Sequence, residues 1–97
     1  MKINKKIFDN GLRLVHNEDT STQMVALNIV YDVGARDEHP EHTGFAHLFE
    51  HLMFGGSENS PISHIQSMSS AGASVLNGTT WFDRNNYFQT VPPPALE

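Results

Sequence analysis

The residues best suited to chemistry lie in one short run, His47-Leu48-Phe49-Glu50-His51. Its two histidines are four positions apart, so on a helix their side chains lie one above the other on the same face. Glu50 shares that face because it follows His47 by three positions. Two neutral imidazoles at this spacing can bind one metal ion, and a neighbouring carboxylate can accept a proton from water. The pattern therefore predicts metal-assisted hydrolysis with Glu50 as the general base.

Zinc is the metal that suits this pair of imidazoles, with each nitrogen at about 2.0–2.1 Å from the ion. A bound zinc ion lowers the pKa of water to about 7, which makes hydroxide available at neutral pH. Phe54 completes the same helix face, which carries no Lys or Arg and therefore suits a partly desolvated cleft better than open solvent. A histidine-rich helix without a metal is the plain alternative.

The elements that must position this run are predicted from periodicity and turn signals. Thr43 to Phe54 is predicted as a helix with Thr43 as its N-cap, and Ser60-Pro61 is predicted to begin a second helix. Asn10-Gly11 indicates a hairpin between two strands. The apolar run Met24 to Val33 indicates a central strand covered on both faces.

Two further strands are predicted after the helices, Ala73 to Asn77 and Tyr87 to Val91, the latter as an open edge. The resulting order β-β-β-α-α-β-β predicts an α+β fold, with helices packed on one face of a mixed or antiparallel sheet.

Composition excludes several classes of function. The chain has 97 residues, with 6 basic and 11 acidic side chains and a net charge of −5, which argues against a nucleic-acid partner. It has no cysteine, so disulfides and thiolate metal sites are excluded. No apolar run approaches the roughly 18 residues of a membrane span. The first residues contain no signal-peptide segment, so a cytoplasmic location is expected.

The chain resembles the pitrilysin family of zinc metallopeptidases, which includes insulin-degrading enzyme and the mitochondrial processing peptidase. Its H-x-x-E-H run is the inverted zinc motif of that family. Further similarity extends over nearly the whole chain in family-like order, in the segments Phe8 to Arg13, Val33 to Glu38, Thr43 to Gly56, Leu76 to Asp83 and Asn86 to Pro92. Gly78 and Arg84 depart from the family pattern, where Ala and Thr are usual.

The resemblance implies a zinc-dependent endopeptidase in which His47 and His51 bind zinc and Glu50 is the catalytic base. It implies that Asn77, together with its neighbours Leu76 and Gly78, binds the backbone of a peptide or protein substrate that lies as an added strand. The third zinc ligand of the family is a Glu on a later helix, expected beyond Glu97.

Residues 1–97 are accordingly expected to be the truncated N-terminal part of a metallopeptidase catalytic domain. This segment is expected to be inactive alone and prone to self-association. Two alternatives stay open: a non-catalytic zinc-binding or scaffold member of the same family, and a plain metal-binding or interaction domain. His39 and His42, in the loop before the zinc helix, are expected to be solvated.

Overall fold

The structure, a computed structural model, describes residues 2–96. Five strands and two helices form in this part of the chain, in the predicted order. Their bounds are β1 Ile3–Ile7, β2 Arg13–Asn17, β3 Val25–Tyr31, α1 Phe45–Leu52, α2 His64–Ser70, β4 Val75–Thr80 and β5 Asn85–Val91. Short 3-10 turns at Ala35–Asp37 and Pro93–Ala95 complete the assignment. The α+β class predicted from the sequence is confirmed.

The first two strands form a separate antiparallel hairpin. Gly11 adopts a φ of 88°, which glycine tolerates because it has no Cβ, and the Asn10 side chain accepts a hydrogen bond from the Leu12 amide at 3.0 Å. The hairpin predicted at Asn10-Gly11 is therefore confirmed. Every residue of β1 and β2 is exposed.

The other three strands form an antiparallel sheet in the order β3-β5-β4. The prediction of a covered central strand over Met24 to Val33 is wrong, because β3 lies at an edge and is mostly exposed. The prediction of an open edge at Tyr87 to Val91 is also wrong, because β5 is the central strand and pairs with β3 on one side and β4 on the other. A continuous apolar run cannot reveal its position in a sheet, because strand pairing is set by distant residues.

Both helices lie on one face of this sheet, as predicted. Alternate residues of a strand point to the same face. Three such residues of β5 contact α1, the segment after α1 and α2: Asn85 with Ala46, Tyr87 with Phe54, and Gln89 with His64. In β4 the residues paired with these three are Thr80, Gly78 and Leu76, which therefore face the helices as well.

The helices begin later than the sequence predicted. The N-cap of α1 is Gly44, with a φ of 86°, rather than Thr43. The N-cap of α2 is Ser63, whose hydroxyl accepts a hydrogen bond from the Gln66 amide at 3.2 Å. Residues 60–61 lie in the preceding loop, where Ser60 and Ser57 exchange backbone hydrogen bonds and the Pro61 backbone packs against Gly56.

The hydrophobic core of the described residues is very small. Val91 is the one buried hydrophobic side chain in residues 2–96. The apolar arc of α1, defined as Phe45, Leu48, Phe49 and Leu52, is about half exposed because α1 turns its opposite face toward the sheet. The Cα radius of gyration is 15.4 Å, whereas a compact domain of this length has about 13 Å. Neither helix in residues 2–96 has the length and hydropathy needed to cross a membrane.

Candidate active site

The start of α1 is fixed by a side chain from the preceding loop. Glu38 Oε2 accepts hydrogen bonds from the backbone amides of Phe45 at 2.6 Å and Ala46 at 3.4 Å. These amides belong to the first turn of the helix and have no partner within it. A carboxylate there also complements the positive end of the helix dipole. Sequence analysis missed Glu38 because it lies outside the capping positions that local patterns identify.

The loop that carries Glu38 is held against the turn between β4 and β5. The amides of Ala35 and Arg36 donate to the carbonyls of Trp81 at 3.0 Å and Phe82 at 2.9 Å. Gly34 allows this close approach, because a Cβ at that position would overlap the Trp81 and Phe82 backbone. The loop thereby connects the start of α1 to the end of the sheet.

His47 and His51 lie one above the other on α1, and their Nε2 atoms are 3.0 Å apart. Both residues are exposed. Two ligands at about 2.05 Å from one tetrahedral ion lie about 3.3 Å from each other, so this spacing fits a shared zinc ion to within a few tenths of an ångström. The imidazole pair therefore has the nitrogen donors and the spacing that zinc binding requires.

Glu50 lies on the same helix but is buried, with only 9% of its surface exposed. Its Oε2 accepts a hydrogen bond from the Thr80 hydroxyl at 2.5 Å. Burial raises the pKa of Tyr87, and the negative charge of Glu50 raises it further. A carboxylate thus lies between α1 and the sheet, hydrogen-bonded to β4 and close enough to Tyr87 of β5 for its charge to act on the phenol.

Three ligands are not brought together in this part of the chain. No group of three or more His, Cys, Asp or Glu side chains that could hold a metal occurs in residues 2–96. His39 and His42 lie in the loop before α1 and are exposed, with their ring centroids 5.7 Å apart and their ring planes tilted by 49°. The chain thus offers two imidazoles and a base on α1, while catalytic zinc sites usually have three protein ligands.

The residues expected to bind substrate lie on β4, at an edge of the three-stranded sheet. Asn77 is exposed on the sheet face opposite the helices, and its Oδ1 accepts a hydrogen bond from the Gly78 amide at 2.9 Å. Gly78 is buried, and a Cβ there would lie 3.1 Å from the rings of Phe54 and Tyr87. Leu76 is partly buried on the helix face. The structure therefore separates the Asn77 side chain from the His47–Glu50–His51 face.

Comparison with known proteins identifies the family to which this fold and its paired histidines belong. Residues 13–97 match the family described as Insulinase (Peptidase family M16), and the chain belongs to this family. The resemblance to insulin-degrading enzyme and its relatives, drawn from the motifs, is thereby confirmed.

Individual relatives are similar over most of this chain but are much longer. The chain is 31% identical to "Zinc protease PqqE" of Helicobacter pylori, covering 81% of this chain and 18% of that protein. It is 31% identical to "Insulin-degrading enzyme homolog" of Dictyostelium discoideum, covering 91% of this chain and 9% of that protein. It is also 30% identical to "Cytochrome b-c1 complex subunit 1, mitochondrial" of Homo sapiens, covering 84% of this chain and 17% of that protein.

A solved structure shares the fold. The crystal structure of a protease from Helicobacter pylori superposes with a TM-score of 0.86 at 28% identity, covering 96% of this chain and 23% of that chain. The present chain thus spans about a quarter or less of the length of these relatives.

Proposed function

We propose that this chain supplies two zinc ligands and the general base of a zinc-dependent endopeptidase. The observation that carries the proposal is the convergence of the His47 and His51 Nε2 atoms, 3.0 Å apart, with Glu50 one turn from His47 on the same helix face. Membership of the insulinase family and relatives named as zinc proteases support it. Zinc, when bound, supplies Lewis-acid activation of water toward a peptide carbonyl.

Residues of this chain would bind the metal, transfer the proton and bind the substrate. His47 and His51 would hold the metal through their Nε2 atoms, as imidazoles without a proton on that nitrogen. Glu50 takes the proton from the attacking water as a carboxylate and later returns it to the leaving amine. The peptide would lie along the exposed edge of β4, where backbone groups can extend the sheet by one strand. The third ligand would come from residues outside this chain, as the greater length of the relatives allows.

A non-catalytic member of the family is the second candidate. It is favoured by the similarity to a protein named as a subunit of the cytochrome b-c1 complex rather than as a protease. The complete His47, Glu50 and His51 set favours the peptidase, because a scaffold has no need of two converging imidazoles beside a buried carboxylate.

The experiment that tests the proposal compares the full-length protein with its Glu50→Gln variant. Zinc content is measured by atomic emission, and turnover is measured with a quenched-fluorescent peptide library. Glu50→Gln should keep the zinc and lose turnover by about 100-fold or more, because the base is removed while the ligands remain. Glu58→Gln is the matched control, since Glu58 is exposed in the loop between the helices.

Three outcomes would overturn the proposal. Turnover that survives Glu50→Gln would show that Glu50 is not the base. Turnover that resists chelation would show that the reaction needs no metal. A purified protein that binds zinc and cleaves nothing in the library would favour the non-catalytic candidate.

A further inference from the structure

The Glu50 carboxylate is held by a residue from the sheet. Thr80 lies thirty positions along the chain, and its hydroxyl donates to Glu50 Oε2 at 2.5 Å. Among residues 2–96, Thr80 is the one side chain that hydrogen-bonds Glu50. A hydrogen bond to an ionised acceptor is shorter and about twice as strong as a neutral one. The buried carboxylate is therefore stabilised in one orientation by a single identified donor.

The position of the Thr80 hydroxyl is itself fixed by the sheet. Thr80 is the last residue of β4 and pairs with Asn85 of β5. Asn85 is buried, and its Nδ2 donates to the Ala46 carbonyl at 3.2 Å. Ala46 and Glu50 are four residues apart on α1, so two paired strand residues hold successive turns of the helix. The β-branched Thr side chain has few accessible rotamers, which limits how far its hydroxyl can move.

We propose that Thr80 is a positioning residue for the general base, fixing Glu50 so that Oε2 is occupied and Oε1 stays available for the proton from water. This inference rests on the proposed function. A base that rotates freely spends less time within hydrogen-bonding distance of the water, and a misplacement of about 1 Å can cost about 100-fold in rate. Thr80 does not contact the reacting atoms and acts only through Glu50.

The first test compares Thr80→Val with Thr80→Ser in the full-length protein. Valine keeps the shape of threonine without the hydroxyl, whereas serine keeps the hydroxyl. We expect Thr80→Val to lower kcat by about 10-fold to 100-fold with KM changed by less than about 2-fold, because substrate binding is untouched while the base loses its orientation. Thr80→Ser should retain at least about one third of the wild-type kcat.

Thr79→Val is the matched control for the same substitution on the same strand. The Thr79 hydroxyl donates to Asn86, and its side chain points to the sheet face away from α1. Equal losses in Thr79→Val and Thr80→Val would indicate general damage to β4 and overturn the proposal. Equal losses in Thr80→Val and Thr80→Ser would also overturn it, because the hydroxyl would then be irrelevant.

A second readout does not depend on activity. The thermal midpoint of the chelator-treated protein is measured for Thr80→Val, Glu50→Gln and the double variant. If the two side chains interact, the losses in midpoint will not add, whereas Thr79→Val combined with Glu50→Gln should be additive. Additive losses for Thr80 and Glu50 would overturn the inference.

The two readouts also distinguish the inference from the proposed function. A wild-type protein without turnover would contradict the proposed function, and the midpoint cycle would still decide whether Thr80 holds Glu50. A wild-type protein with turnover that is insensitive to Thr80→Val would contradict only the inference.

Discussion

The Nε2 atoms of His47 and His51 face each other at 3.0 Å across one turn of α1. Without a metal, a hydrogen bond between these two nitrogens requires that one ring donates an N–H and the other ring accepts it. A zinc ion held by both residues would take the place of that contact, because tetrahedral coordination needs nearly the same nitrogen–nitrogen separation. The helix therefore presents the pair in a conformation that needs little rearrangement to bind metal.

This arrangement predicts weak zinc binding by the 97-residue chain through these two rings. His47→Ala and His51→Ala should each lower the affinity by about 10-fold or more in calorimetric titration, because one of two ligands is removed. Protons compete with zinc for imidazole nitrogen, so the affinity should fall as the pH is lowered. His16→Ala is the control, since His16 lies on the separate hairpin. Unchanged affinity in both α1 variants would contradict the assignment.

Removal of the helix cap should destabilise the protein. Glu38→Ala deletes the acceptor of the Phe45 and Ala46 amides, and loss of a helix cap costs about 1 kcal/mol. Glu41→Ala, in the exposed part of the same loop, should change the free energy of unfolding by less than about 0.5 kcal/mol. Urea titration of the full-length protein measures both. Equal stabilities for the two variants would show that Glu38 does not cap α1.

The phenol of Tyr87 should titrate above its ordinary pKa of 10.0, first because burial disfavours the phenolate and second because Glu50 is negatively charged. Glu50→Gln should therefore lower the pKa of Tyr87 toward 10.0 while burial keeps it raised. Ultraviolet titration of phenolate absorbance measures this in the metal-free 97-residue chain, in which Tyr31→Phe removes the one other tyrosine.

The raised pKa of Tyr87 also affects the free energy of unfolding at alkaline pH. The folded-state pKa of Tyr87 is raised, so the contribution of its neutral phenol is fully present below pH 10.0 and is lost as pH rises through the folded-state pKa. Tyr87→Phe should remove this part of the alkaline loss of stability. An unchanged alkaline profile in that variant would contradict the predicted shift.

The 97-residue chain by itself should be catalytically inactive and should self-associate. Two imidazoles leave a zinc ion short of the three protein ligands that catalytic sites usually have. The apolar arc of α1 is about half exposed, and exposed apolar surface of this kind promotes association. Light scattering should show oligomers that Phe49→Glu reduces. A monomer at high concentration, or chelator-sensitive cleavage by the isolated chain, would contradict the respective half of the prediction.

Local sequence determined the chemistry-bearing face of α1. The helical repeat places residues three and four positions apart on one face, so the shared face of His47, Glu50 and His51 depends only on the helix itself. The hairpin at Asn10-Gly11 was also predictable from local sequence, because the turn depends on the backbone conformations that these two adjacent residues can adopt. Family membership followed from motifs spread over nearly the whole chain.

Tertiary structure alone decided what surrounds that face. Glu38 reaches the start of α1 because the Gly34 loop is held by the β4–β5 turn, and Thr80 reaches Glu50 from thirty residues away. The central place of β5, and with it the edge position of β3, depends equally on pairing between distant segments. Sequence periodicity reports only neighbours within a turn or a strand. Contacts between elements depend on how the whole chain packs, and these contacts cap the helix, bury Glu50 and orient its carboxylate.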